Sequence, residues 1–140
     1  MRKNLDTLKA AGGGDTPEAV VDGLHAALKL DYRENATKIC LLIADAPPHG
    51  LQTSGDSFPT GCPCGLDPLD VCRKMAEKGI TLYVVGCEPS ILPYRSFFMS
   101  LAYLTGGQYV PLGNAQLLAD VVVGGIFHLQ ISLINVYIVL

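Results

Sequence analysis

The sequence predicts an α/β fold: a Rossmann-like, mostly parallel sheet with helices on both faces. Three observations lead to it. Short apolar runs, Lys38 to Asp45 (KICLLIAD) and Ile80 to Gly86 (ITLYVVG), alternate with segments of helical periodicity. Each run is too short for a buried helix and apolar enough for a strand covered on both sides, as in parallel sheets. Turn-forming residues separate each run from the next helical segment. A chain of 140 residues has the length of one domain. We assign residues 1–125 to the α/β part and 126–140 to an apolar tail.

Taken in order, Pro17 to Leu30 places Val20, Val21, Leu24, Ala27 and Leu28 at three- and four-residue spacings, one apolar stripe on a helix. The polar turn Asp31 to Thr37 leads into the first strand. After the Pro/Gly/Ser-rich loop His49 to Gly65, Asp67-Pro68 opens a helix with Leu69, Cys72, Met75 and Ala76 on one side. Gly79 closes it, and the second strand follows. A third unit runs from a helix near Ser96 to Leu104, through Thr105-Gly106-Gly107, to a short strand Gln108 to Leu112. A last helix is expected from about Asn114 to Val123. In the tail, Phe127, Leu129, Ile131 and Leu133 alternate with His128, Gln130 and Ser132, the period of a half-buried strand. The charge-free stretch Val121 to Leu140 approaches a bilayer-spanning length, but polar residues interrupt it and no basic flank follows, so a strand is the expectation.

A net charge of -3 and the absence of any Lys/Arg run exclude the electrostatic footprint of a nucleic-acid or anionic-membrane binder. The start, MRKNLDTLKA, lacks the apolar segment and cleavage site of a signal peptide. Five cysteines are an odd number and form no dense disulfide framework, so reduced thiols and an intracellular setting are expected. Cys62-Pro63-Cys64 is a C-x-C pair without the second Cys or His pair that a structural zinc site normally needs. Cys40 and Cys72 fall on apolar faces and read as small core residues.

Two stretches carry potential chemistry. In Gly12-Gly13-Gly14-Asp15-Thr16-Pro17-Glu18, Asp15 or Thr16 suits a helix N-cap, with Glu18 completing a capping box. The glycines also resemble a phosphate cradle, but Asp15 and Glu18 would put negative charge where a phosphate sits, and no Gly-Lys-Ser/Thr ending follows. The carboxylates suit a cation better. In Ile43-Ala44-Asp45-Ala46-Pro47-Pro48-His49-Gly50, an acid ends a buried strand, where ligands of open α/β sheets bind. A helix of about 15 residues covers roughly 22 Å and a strand of about seven returns roughly 23 Å. Asp15, Thr16 and Asp45 are therefore expected at one edge, an oxygen set that matches Mg²⁺ or Mn²⁺. His49 has no Gly-x-Ser-x-Gly elbow to serve, so it reads as a loop histidine. Asp56, in the same loop, is a candidate for shaping a binding face.

AGGGDTPEAV, a strand ending in IADAPPHG, then GDSFPTGCPCGLDP, GITLYVVGCEP and TGGQYVPL occur in an order that resembles the later two-thirds of a von Willebrand factor A (VWA) domain, over about Ala10 to Gly125. The first two pieces are most similar to the intracellular group that includes VWA domains attached to some alpha-kinases. The resemblance implies a metal-ion-dependent adhesion site, to which Asp45 would contribute the acid at the end of the family's fourth strand and Asp15 or Thr16 the second-loop ligand. The Asp-x-Ser-x-Ser of the family's first strand does not occur in the sequence. The resemblance thus implies a domain truncated at its N-terminus, with the tail strand expected in the vacated place beside Lys38 to Asp45. The implied function is non-catalytic protein binding, a bridging Mg²⁺ or Mn²⁺ taking an acidic side chain from the partner and His49 and Asp56 lying on the contact face. The alternatives are a regulatory segment of a larger kinase-type protein, or a fragment that keeps the fold without its function.

Overall fold

The computed structural model describes residues 13–52, 54–117 and 134–139. Over these it is an α/β structure whose four strands form one sheet, every pairing parallel.

Helix α1 spans Val20–Leu28, and its buried residues are the five of the apolar stripe. It starts later than expected: its N-cap is Ala19, with no side-chain hydrogen bond, so neither Asp15 nor Thr16 caps it. The reason lies in the backbone ahead of it. Glu18 pairs in parallel with Pro48, its N–H donating to the Pro47 carbonyl at 2.9 Å, and the Thr16 N–H donates to the Gly55 carbonyl at 3.2 Å. The residues that local propensity offers to the helix are held by the next loop instead.

Strand β1 (Thr37–Ala44) pairs with β2 (Ile80–Gly86) from Lys38↔Ile80 to Ala44↔Gly86. Between them α2 (Pro68–Glu77) begins at Asp67, whose side chain accepts from the N–H groups of Leu69 and Asp70. Its buried face is Val71, Cys72 and Met75. Ala76 lies on the exposed side, so the stripe is turned slightly from the one expected. After β2 a 3₁₀ turn (Leu92–Tyr94) leads into α3 (Arg95–Leu104), and β3 (Tyr109–Pro111) pairs with the end of β2.

Strand β4 (Ile134–Val139) lies on the other side of β1, in register from Thr37↔Ile134 to Leu42↔Val139, giving the order β3-β2-β1-β4. The free edge of β1 is thereby paired, which removes an exposed row of backbone donors and acceptors. Phe127, Leu129, Ile131 and Leu133, whose alternation suggested a tail strand, lie outside the described residues, as does the 125/126 boundary. Of the expected last helix only the 3₁₀ segment Leu112–Leu117 is described.

The core sits on one face of the sheet. Cys40, Leu42 and Ala44 of β1 and Ile80, Leu82 and Val84 of β2 pack with the buried stripes of α1, α2 and α3. Leu24, Met75, Phe98 and Leu101 are fully buried there, and each such side chain contributes about 1.5–3 kcal/mol of transfer free energy. The opposite face carries a separate cluster of Ile39 and Tyr83 with Leu41 against it. The three described helices therefore share one face, and a helix on the other face, as the sequence leads one to expect, is not among the described residues. Among the described residues no helix is long and apolar enough to cross a membrane.

Candidate functional site at the carboxyl edge of β1

Asp45 is the first residue after β1, and it is exposed. The chain then turns through buried Pro47 and Pro48 into the long loop. The Glu18–Pro48 bridge fastens the Asp15–Thr16 segment to that turn, and the Thr16 N–H donates to the Gly55 carbonyl at 3.2 Å. Two segments far apart in sequence thus meet at the edge where the strand order predicts a ligand.

The loop is held on itself by carboxylates. Asp56 accepts from the Gly50 N–H (2.8 Å), from the Phe58 N–H (2.8 Å) and from His49 Nδ1 (2.7 Å). Its side chain is 1% exposed. Burial pushes its carboxyl up, but the donors from Gly50, His49 and Phe58 outweigh burial and hold it below the usual carboxylate range. Asp15 accepts from the Ser57 N–H at 2.8 Å and lies 3.8 Å from His49 Nδ1. The Phe58 ring meets the His49 ring edge-on, centroids 5.0 Å apart. Asp15, His49 and Asp56 form a compact group whose ligand-type atoms all lie within 4.8 Å of one another.

These contacts divide the expected residues by availability. Asp56 is satisfied by three donors, and with Asp56 ionised the His49 Nδ1 carries the proton of their hydrogen bond. Both act inside the loop. Asp45 and Thr16 are exposed, and among the described residues no hydrogen bond ends on the Asp45 carboxylate. Asp15 is half-buried between the two sets. Asp45 is not in the Asp15–His49–Asp56 group. The His49–Asp56 pairing went unread in the sequence; GDSFP signals only the Asx turn in which Asp56 accepts from the N–H two residues on.

Fold and edge together define an open parallel α/β domain with an acidic loop cluster at the carboxyl end of its central strands. No protein-family profile matches the chain. It is similar to an alpha-protein kinase, vwkA, of Dictyostelium discoideum, 35% identical over 81 residues, which cover 56% of this chain and 13% of that protein. It is also similar to a putative ariadne-like RING finger protein of Acanthamoeba polyphaga mimivirus, 34% identical over 108 residues, covering 72% of this chain and 10% of that protein. The chain thus spans about an eighth or less of the length of either relative.

Proposed function

We propose that this chain is a VWA-like, non-catalytic protein-binding module whose contact edge is formed by Asp45, Asp15 and Thr16. The observation that carries the reading is the Glu18–Pro48 bridge, which docks the Asp15–Thr16 segment on the turn directly after Asp45. Asp45, exposed and free of hydrogen bonds among the described residues, is the carboxylate available to a cation. Asp15 would add a carboxylate oxygen and Thr16 a hydroxyl. Oxygen donors of this kind fit Mg²⁺ or Mn²⁺, which retain several waters beside one or two carboxylates. Such a cation supplies an exchangeable coordination position that an acidic side chain of a partner would take. His49 and Asp56 keep the neighbouring loop in shape, with the exposed Phe58 ring held against His49.

The similarity of one segment to parts of two long proteins, one named for a kinase and one for a RING finger, supports a portable module whose chemistry is binding. A regulatory segment within a larger kinase-type protein is the second reading, favoured by the first of those relatives.

Thermal melts with and without Mg²⁺ or Mn²⁺, on the native chain and on Asp45→Ala and Asp15→Ala, test the site. A cation at about 100 times its Kd adds about 2.7 kcal/mol, a rise of several degrees in Tm that both variants should lose. Equal shifts in native and Asp45→Ala chains, or no shift in the native chain, would remove Asp45 from the role.

A further inference from the structure

A second group of side chains, none of them in the Asp15–His49–Asp56 group, converges where the long loop crosses the start of α1. Asp22 lies in the first turn of that helix. Cys62 and Cys64 come from the loop, in a turn closed around Pro63 by the Gly65 N–H donating to the Cys62 carbonyl at 2.9 Å. The Cys62 thiol donates to Asp22 Oδ2 at 3.5 Å across 40 residues. Both sulfurs and a carboxylate oxygen of Asp22 lie within 4.8 Å of one another.

The composition of this group selects its ligand. Two sulfurs and a carboxylate are a poor match for Mg²⁺ or Ca²⁺, which take oxygen, and a good one for a borderline-soft cation. The dimensions agree. With metal–sulfur bonds of about 2.3 Å and metal–oxygen bonds of about 2.1 Å, a tetrahedral zinc site has S···O edges of about 3.6 Å and S···S edges of about 3.8 Å. The Cys62–Asp22 separation of 3.5 Å is already such an edge, and the 4.8 Å bound on the others leaves about one ångström of closure. The surroundings suit a site that is anchored and still reachable: Cys62 is half-buried against the main core, whereas Cys64 is exposed.

We propose that Asp22, Cys62 and Cys64 form a Zn²⁺ site that fastens the long loop to the first turn of α1. Three protein ligands leave the fourth position to water or to a donor from another molecule. With two sulfurs among its three donors, this site selects a different cation from the oxygen edge at Asp45.

The test is a titration of the reduced full chain with Co²⁺, followed by Zn²⁺. One equivalent of Co²⁺ should produce a sulfur-to-cobalt charge-transfer band that Zn²⁺ abolishes. Cys62→Ser and Cys64→Ser should each remove the band, Asp22→Asn should weaken binding by about tenfold or more through loss of one of three ligands, and Cys87→Ser should leave it intact. Alkylation of the native chain gives a readout that needs no variant: Zn²⁺ should shield Cys62 and Cys64 but not Cys87. Absence of the band, its survival in the Cys62→Ser/Cys64→Ser double variant, or equal labelling of the three thiols with Zn²⁺ present would overturn the proposal. So would a Cys62–Cys64 disulfide that resists treatment with excess reductant.

Discussion

His49 Nδ1 lies 2.7 Å from Asp56 Oδ1, joining two residues seven apart in the loop after β1. The same carboxylate accepts the N–H groups of Gly50 and Phe58, so one buried acid organises most of the turn. Its charge state should therefore be visible in the stability of the protein.

Asp56→Asn is expected to lower Tm at neutral pH and to do so less in acid. The carboxyl is held below its ordinary value in the folded chain, whereas in the unfolded chain it sits near about 3.9. Its contribution is complete above the unfolded value and is lost as the pH falls through the folded one. Melts of both chains between about pH 7 and pH 3 should show the gap in Tm closing below about pH 4. A gap that stays constant would assign the loss to geometry and not to charge.

Gly50 makes a sharper demand on the same turn. Its φ is +90°, and a Cβ there would lie 2.8 Å from the Gly61 Cα and 2.9 Å from the Gly61 nitrogen. Gly50→Ala should cost about 1–3 kcal/mol from backbone strain alone, with the clash against Gly61 adding to it. Gly55→Ala is the comparison. Its φ is +72°, but the nearest atom to a Cβ is the Thr16 Oγ1 at 3.7 Å, so only the strain of about 1–2 kcal/mol should appear. Chemical denaturation of both variants checks the order.

Thr105 completes the sheet where β3 is too short to do so. Its hydroxyl accepts the Leu82 N–H at 2.8 Å and donates to the Ala102 carbonyl at 2.9 Å. Thr105→Val keeps the shape and leaves the Leu82 N–H without that acceptor, an expected loss of about 1–3 kcal/mol. Thr105→Ser should recover most of it. Equal losses in the two variants, measured by denaturant titration, would place the effect in packing.

Cys40 and Cys72 should resist alkylation in the folded protein and react on unfolding. Both are fully buried, and burial pushes each thiol up to about 12, Cys40 adding to the effect at Cys72. Mass spectrometry after brief labelling reads this directly. Rapid native labelling of either would contradict its place in the core.

The architecture was legible because periodicity is a local property. The apolar stripe of α1 was read residue for residue, and Lys38 to Asp45 matched β1 within a residue at each end. Asp67-Pro68 opened α2 as its capping chemistry requires. The start of α1 was not legible: a nearby Asp and Thr are good caps, and nothing local reveals that Glu18 is held by Pro47 instead. The site was legible in part. The exposed acid after β1 and the segment docked beside its turn were both in the expected set, but the partner of His49 was not.

What the sequence determined by itself was the α/β class and the strand-end position of Asp45, since both follow from residues near one another in the chain. Only the tertiary structure decided which carboxylates are spent and which remain available. Asp56 is consumed by three donors within its own loop, Asp15 is tied to Ser57, and Asp22 meets Cys62 across 40 residues. Hydrogen bonding and ligation need donor and acceptor atoms within a few ångströms, and for residues this far apart only the folded chain sets that distance.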